Sequence, residues 1–256
     1  MDFASMKVKE INDLFKSSTH EEHLTYIDDL LGDDRNSINK LGQKVLNETK
    51  KRNFIIEKFE TMSEFEKPFW ENSKLVAGLD EVGRGPLFGS VVTACVILDK
   101  NEKIYGLDDS KKIKESERER LYDEIMTKAK CVSIGMCDND EIDDINILNA
   151  TKLAMMKAIA LMDITPEHLL IDALLLPEVD IEQTSIVKGD TKSVSIAAAS
   201  IIAKVTRDRM MIEFDKEYPE YDFKNNKGYG TPSHYLAIEK VGITKHHRKS
   251  FLKNII

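Results

Sequence analysis

Residues 75–86 constrain the fold more than any other part of the 256-residue chain. The segment begins with a short apolar run at residues 75–79, bounded by charged residues, which predicts a β-strand. The acidic pair Asp80 and Glu81 follows, and then a Gly-Arg-Gly turn at residues 83–85. Neighbouring strand side chains point to opposite faces, so two adjacent carboxylates can share one site only if the chain turns. The glycines give the backbone that freedom, although a solvated acidic loop is the alternative interpretation.

The chain beyond residue 74 predicts a layered α/β domain, because strands lead and then alternate with helices. Helical spacing of apolar residues indicates helices at 115–130, 147–162 and 192–217. A Gly-Tyr-Gly loop, a short helix and a basic tail follow and predict a C-terminal helical region. Short apolar or β-branched runs predict strands at residues 75–79, 90–98, 131–136, 168–172 and 185–187.

Residues 1–70 predict a small helical extension, and residues 71–256 the main domain. Ser18 and Glu21 have the spacing of a capping box, which would open a helix that runs through about residues 26–31. A second helix is expected over residues 36–62, with a narrow apolar stripe on a charged surface. We find no cluster of reactive side chains in the extension, and we interpret it as a packing or interaction element.

Two further carboxylates follow predicted strands. Asp172 ends the apolar run 168–171, and Asp190 precedes the helix expected at residue 192. Each could instead be a helix N-cap, a role worth about 1 kcal/mol. Ligands of α/β sheets bind where strands end in loops, so these groups and the Asp80-Glu81 pair are expected to converge there. Convergent carboxylates without His or Cys favour two Mg²⁺ or Mn²⁺ ions, which can hydrolyse a phosphodiester without a Ser, Cys or His nucleophile.

Composition sets limits on partners and location. The sequence contains no run of about 18 apolar residues, so it predicts no membrane span. The first residues show no basic segment followed by an apolar run, and the three cysteines form no C-x-x-C pair, so we expect a cytoplasmic protein. The net charge is −8, but residues 71–187 carry 13 Lys/Arg against 23 Asp/Glu, whereas residues 188–256 carry 13 against 8. This asymmetry suits an enzyme that holds cations in one place and phosphates in another.

An ordered set of motifs resembles the ribonuclease HII family over about residues 74–251. The motifs are GLDEVGRGPL at 78–87, LDDSKK at 107–112, LIDA at 170–173, KGD at 188–190, SIAAASIIAKVTRD at 195–208, GYGT at 228–231 and HRKSF at 247–251. The resemblance implies a ribonuclease H-like α/β fold, a mixed sheet flanked by helices. It also implies an endonuclease that hydrolyses the RNA strand of RNA–DNA hybrids and cuts 5′ of single ribonucleotides in duplex DNA. The ends left would be a 3′-hydroxyl and a 5′-phosphate.

The same resemblance assigns roles to residues. Asp80, Glu81, Asp172 and Asp190 would form the metal site. Gly83, Arg84 and Gly85 would contact the 2′-hydroxyl and the adjacent phosphate largely through the backbone, and Tyr229 would stack on the following deoxyribose. A 2′-hydroxyl is what distinguishes RNA from DNA at one position. Five basic residues are candidates for phosphate contacts, although each could be an ordinary basic residue of the surface: Lys111, Lys204, Arg207, Lys245 and Arg248.

Phe88-Gly89-Ser90 departs from the family, which usually has a small residue, glycine and proline there. The related HIII enzymes lack the arginine of the Gly-Arg-Gly turn and carry a larger N-terminal domain, so Arg84 and the short helical extension favour HII. Two other functions stay open at this point: a non-catalytic binder of hybrids, and a ribonuclease H-like nuclease that acts on plain DNA. A monomer is expected.

Overall fold

The computed structural model describes residues 3–253, so the outermost ends of both predicted domains lie outside the described residues. The chain divides into two compact units, Met1–Lys58 and Phe59–Ile256. The functional boundary expected near residue 70 stays a prediction.

The first unit is helical. Its core is formed by Phe3, Ile11, Phe15, Leu30, Ile38 and Val45. The helix expected at 36–62 is confirmed, but the predicted capping box is displaced by one residue. The Thr19 hydroxyl, not that of Ser18, accepts from the Glu22 backbone N–H. The Glu22 carboxylate in turn accepts from the Thr19 backbone N–H. The helices are α1 (Val8–Ser17), α2 (His20–Thr25), α3 (Ile27–Leu31) and α4 (Asn36–Met62), which ends in the second unit.

The second unit is built around a five-stranded mixed sheet, whose strands lie in the order β3-β2-β1-β4-β5. Its central strand β1 pairs antiparallel with β2 and parallel with β4. The predicted α/β architecture is confirmed, with two displaced strands. The first was expected at residues 75–79, but β1 continues through Val82, so Asp80 and Glu81 lie within the strand and the chain turns only at Gly83. The strands are β1 (Val76–Val82), β2 (Val91–Ile97), β3 (Cys131–Cys137), β4 (His168–Asp172) and β5 (Glu182–Ile186).

The fifth strand was expected at 185–187, but it lies at Glu182–Ile186. Only Ile186 of this strand is buried, because β5 is an edge strand whose other side chains are polar. An apolar run marks a strand only where the sheet is covered on both faces.

Helices cover the two faces of the sheet. Alternate β2 residues such as Val92 and Ala94 pack with the alanines of α8 (Val194–Glu217), whereas Cys95 and Ile97 pack with Met155 and Ala158 of α7 (Asn139–Ala160). Helix α6 (Glu115–Lys128) lies against α8. The expected start of α7 at residue 147 was wrong, because a break at Asn146 (φ 66°) hides an earlier turn capped by Asp138.

The C-terminal region has its own apolar core. Phe88 is fully buried there, with its ring 3.9 Å from that of Phe223, so the departure from the family at residue 88 is filled by aromatic packing. No helix among residues 3–253 is long and apolar enough to cross a membrane. The remaining helices are α5 (Lys67–Glu71), α9 (Phe223–Asn226), α10 (Pro232–Val241) and α11 (Lys249–Leu252).

Candidate active site

Asp80 and Asp172 are brought together by strand register. Leu79 of β1 pairs with Ile171 of β4, and the two aspartates are the next residues of these parallel strands. Both carboxylates therefore lie at the edge of the sheet formed by the C-terminal ends of β1 and β4, as the pattern of strand ends predicted.

Asp190 joins this edge through a turn held by Asp172. The Asp172 Oδ1 atom accepts a hydrogen bond of 2.7 Å from the backbone N–H of Gly189. Asp190 is not the N-cap of α8, because Ser193 takes that position and accepts from the Ile196 backbone N–H. Its carboxylate is therefore available for another role.

Asp80 is only 6% exposed and faces α8. Its Oδ1 accepts from the Glu81 backbone N–H at 2.7 Å, and against the effect of burial, which raises the pKa of the carboxyl, the nearby Ser200 side chain lowers it. The Ser200 hydroxyl lies 3.0 Å from that of Ser110. These two buried serines were not singled out from the sequence, although both lie within motifs that were; their position beside Asp80 only appears once α8 is packed on β1.

Glu81 has one satisfied and one unsatisfied oxygen. Its Oε1 accepts from the Arg84 guanidinium at 3.3 Å. Its Oε2 is buried and, among the described residues, has no hydrogen-bond partner. An unpaired buried carboxylate oxygen is costly unless a cation or a donor reaches it.

Burial and mutual repulsion disfavour the ionised forms at this edge. Burial raises the pKa of Asp80 well above its ordinary value, and the charges of Glu81 and Asp172 raise it further. Burial likewise raises the pKa of Glu81, against the opposing effect of Arg84. The pKa of Asp190 is raised by burial and then by Asp109 and Asp172. Carboxylates arranged in this way are destabilised as free anions and gain from a bound cation.

The four carboxylates fit a divalent cation by their chemistry. All are hard oxygen donors, and Glu81 Oε2, which no donor within residues 3–253 reaches, is an acceptor that a cation would satisfy. As they stand in residues 3–253, no three Asp, Glu, His or Cys groups converge closely enough to hold an ion without movement.

The Gly-Arg-Gly turn and Tyr229 form the second part of the site. Gly83 is buried with φ +91°, a conformation that favours glycine. Arg84 and Gly85 are exposed, and Tyr229 is 41% exposed. A Cβ added to Gly85 would lie 3.5 Å from Tyr229 Cε1, so the turn and the ring are in contact range.

Two of the lysines proposed as phosphate contacts differ in exposure and surroundings. Lys111 is exposed, and its positive charge lowers the pKa values of Glu81 and Asp190. Lys204 is largely buried and bonds Asp208 Oδ1 at 2.6 Å, and burial lowers its pKa. Lys111 is therefore the more accessible of the two for a phosphate.

Arg207 and Arg248 require a correction. Sequence reasoning offered both as phosphate contacts, yet both are 0% exposed. Arg207 donates to the backbone carbonyls of Phe88, Ser90 and Lys227. Arg248 donates to carbonyls of the Gly-Arg-Gly turn and its flank. Neither guanidinium faces solvent, because the backbone acceptors occupy its donors.

Family models match both parts of the chain. Residues 77–254 match the model described as Ribonuclease HII, and residues 7–70 match that of the Ribonuclease HII N-terminal domain. The Ribonuclease HII of Clostridioides difficile (strain 630) is 48% identical over 250 residues, which cover 97% of this chain and 98% of that protein.

Solved structures give a consistent fold. The ribonuclease H2 of Pyrococcus horikoshii OT3 superposes with a TM-score of 0.58 at 26% identity, covering 71% of this chain and 96% of that one. The Bst-RNase HIII structure in complex with Mn²⁺ superposes with a TM-score of 0.50 at 21% identity, covering 70% and 65% of the two chains. The predicted ribonuclease H-like fold is confirmed.

Proposed function

This chain belongs to the ribonuclease HII family of endonucleases, which cleave RNA in RNA–DNA hybrids, and from this premise we propose its finer specificity and mechanism. The protein cuts on the 5′ side of single ribonucleotides in duplex DNA, as well as within the RNA strand of hybrids, and leaves 3′-hydroxyl and 5′-phosphate ends. The observation that supports this most directly is the position of Asp80 and Asp172 at one sheet edge, next to the exposed Gly-Arg-Gly turn and Tyr229.

Asp80, Glu81, Asp172 and Asp190 hold two divalent cations in this proposal. Mg²⁺ or Mn²⁺, when bound, supplies the charge that activates a water and stabilises the leaving oxygen. The chain itself fixes Asp80 through the Glu81 backbone N–H and Asp172 through the Gly189 backbone N–H. The Mn²⁺ bound in the Bst-RNase HIII structure is consistent with this choice of metals.

Recognition of the ribonucleotide is assigned to the turn and to Tyr229. Backbone groups of Gly83–Gly85 contact the 2′-hydroxyl and its phosphate, and the Tyr229 ring stacks on the next deoxyribose. Lys111 contributes a phosphate contact, so binding weakens as salt rises. Removal of misincorporated ribonucleotides and degradation of hybrids or primers are the cellular roles that this specificity would serve. Residues 1–70 aid substrate binding or stability, and the monomeric state and cytoplasmic location stay predictions.

Two alternatives are weaker. A non-catalytic hybrid binder has no use for four carboxylates that repel one another at one edge. A nuclease for plain DNA has no use for a turn and an aromatic ring that recognise a 2′-hydroxyl.

Three labelled duplexes separate these functions: all-DNA, DNA with one ribonucleotide, and a uniform RNA–DNA hybrid, each incubated with Mg²⁺ and with Mn²⁺. We expect cleavage of the second and third and an intact first. Intact hybrid and single-ribonucleotide duplex under both metals would overturn the proposal, and equal cleavage of all three would favour the plain-DNA nuclease.

A further inference from the structure

The HRKSF motif at residues 247–251 is absorbed by none of the roles above. Its first two side chains, His247 and Arg248, are both fully buried. Each is connected by hydrogen bonds to one of the two recognition elements, and the two sets of bonds are independent of each other.

Arg248 holds the Gly-Arg-Gly turn from behind. Its Nη2, Nη1 and Nε atoms all donate to backbone carbonyls of one short loop, so the guanidinium fixes the path of that loop rather than one side chain in it. A planar guanidinium matches several fixed acceptors at once, which a lysine ammonium does not. The acceptors are the carbonyls of Gly83 (2.6 Å), Arg84 (3.0 Å), Pro86 (2.8 Å) and Gly89 (2.8 Å).

His247 is connected to Tyr229 through a second buried histidine. The Nε2 atoms of His247 and His234 are 3.1 Å apart, and His234 Nδ1 is 2.9 Å from the Tyr229 carbonyl oxygen. At the other end, the Thr244 backbone N–H donates to His247 Nδ1 at 2.9 Å.

The two ends of this chain of hydrogen bonds determine the tautomer of each histidine, and the two assignments agree with each other. The Tyr229 carbonyl only accepts, so His234 carries its proton on Nδ1 and accepts at Nε2. The Thr244 N–H only donates, so His247 accepts at Nδ1 and carries its proton on Nε2. His247 Nε2–H therefore donates to His234 Nε2, and every bond has one donor and one acceptor. Neither ring can hold a second proton without placing two donors against each other.

Backbone bonds fix the same segment to the loop behind the turn. The Arg248 N–H donates to the Leu87 carbonyl at 2.8 Å, and the Gly89 N–H donates to the His246 carbonyl at 2.9 Å. The Leu87 N–H in turn donates to the Gly228 carbonyl at 2.8 Å, next to Tyr229. The loop, the tail segment and the Gly-Tyr-Gly loop therefore form one bonded frame.

We propose that His247 and Arg248 are positioning residues that set the distance between the Gly-Arg-Gly turn and Tyr229, and so determine how strongly the enzyme prefers a single ribonucleotide followed by DNA. The inference rests on the proposed function, because it assigns a cause to the selectivity of that site. Arg248 sets the turn, His247 sets the tyrosine through His234, and their adjacency in the chain couples the two.

Arg248→Lys and His247→Gln test the proposal, with Lys249→Gln as the matched control. Lys249 is exposed and directly follows both residues in sequence, so its replacement alters the same segment without touching either buried set of hydrogen bonds. The readout is the ratio of kcat/KM on the single-ribonucleotide duplex to kcat/KM on the uniform hybrid, measured together with Tm. We expect the ratio to fall about tenfold or more in both variants and to stay at the wild-type value in the control. Folded variants with an unchanged ratio would overturn the proposal.

A measurement on the wild type covers the case in which both variants fail to fold. In ¹⁵N-resolved spectra of the histidine rings we expect His247 with its proton on Nε2 and His234 with its proton on Nδ1. The opposite tautomer of either ring would overturn the proposal, because the bonds to Tyr229 would not form. Failure of the wild type to cut the single-ribonucleotide duplex would instead reject the proposed function.

Discussion

The Oδ1 atom of Asp172 accepts a 2.7 Å hydrogen bond from the Gly189 backbone N–H. This bond connects the end of β4 to the turn that carries Asp190, so two of the four carboxylates are held by one contact. The turn also packs closely on α8, since a Cβ added at Gly189 would lie 2.5 Å from Ile196 Cδ1, which would have to move.

Asp80→Asn should abolish cleavage and, without metal, stabilise the protein. The substitution removes a buried charge whose pKa is raised by burial and by the charges of Glu81 and Asp172. In EDTA we expect a Tm above that of the wild type, and on addition of Mn²⁺ a smaller rise than the wild type shows. Thermal unfolding with and without Mn²⁺ measures both, and hybrid binding should survive.

Asp163→Asn is the control for Asp80→Asn. Asp163 is exposed and lies before β4 begins at His168, so it is outside the strand ends and the turn that carry the four carboxylates. We expect full activity and an unchanged response to Mn²⁺. If Asp80→Asn turned over substrate at the wild-type rate, Asp80 would not belong to the site.

Tyr229→Ala should reduce the junction preference more than total hydrolysis. The ring is 41% exposed, so its loss removes a contact to substrate with little loss of packing. We expect kcat/KM on the single-ribonucleotide duplex to fall by roughly 10- to 100-fold, in line with about 1–3 kcal/mol for a stacked aromatic ring. Tyr229→Phe keeps the ring and should retain the preference; equal selectivity of the alanine variant and the wild type would exclude stacking.

Gly78→Ala should destabilise the sheet against α8. An added Cβ would lie 2.1 Å from the Ser195 carbonyl carbon, and neither backbone can yield without moving the helix. We expect a loss of about 3 kcal/mol, which lowers the Tm of a unit of this size by roughly 6–12 °C.

Gly106→Ala separates close packing from backbone strain. Gly106 also has a positive φ of +99°, but its nearest neighbour would lie 3.5 Å from the added Cβ. We expect a cost of about 1–2 kcal/mol, from the backbone conformation alone. Equal costs for the two substitutions would show that α8 does not pack as closely on β1 as described.

The free energy of unfolding should decrease as the pH is lowered, because the folded protein keeps His247 neutral. Burial, and then the neighbouring His234, lower the pKa of His247 from 6.5 to about 4. The unfolded chain therefore gains a proton below pH 6.5 that the folded protein takes up only near pH 4, so stability is complete above pH 6.5 and is lost as the pH falls to about 4. The gap is worth roughly 3 kcal/mol.

His247→Gln should flatten this dependence. The free energy of unfolding, measured by urea at pH 7.5 and pH 4.5, should drop less in the variant than in the wild type. His234 and His246 are the other titratable groups that affect the His247 pKa, and both remain in the comparison. Parallel curves for the two proteins would show that His247 is not held neutral.

Long periodic segments were predictable from the sequence, and interrupted or polar ones were not. The bounds of α4 and β4 were predicted to the residue, because helically spaced apolar residues mark both ends of α4 and an apolar run marks β4. The first half of α7 was missed because Asn146 interrupts the helix, and β5 was displaced because it is a polar edge strand. Local pattern carries no information about a strand's position in the sheet, which accounts for the error at β5, whereas the error at α7 comes from the local break at Asn146.

For the site, position was predictable and burial was not. Strand ends indicated that Asp80, Asp172 and Asp190 would meet, and the register of β1 with β4 places the first two side by side. Arg207 and Arg248 were misjudged because basic side chains are nearly always exposed. Their backbone acceptors lie more than 100 residues away for Ser90 and Gly89, so only the fold identifies them.

Mapping the cut bond in a duplex with one ribonucleotide tests the central claim most directly. With each strand labelled in turn and Mn²⁺ present, we expect one cut, on the 5′ side of the ribonucleotide, with a 3′-hydroxyl on the upstream DNA and a 5′-phosphate on the ribonucleotide. A cut on the 3′ side of the ribonucleotide, or a 2′,3′-cyclic phosphate end, would contradict the proposed mechanism.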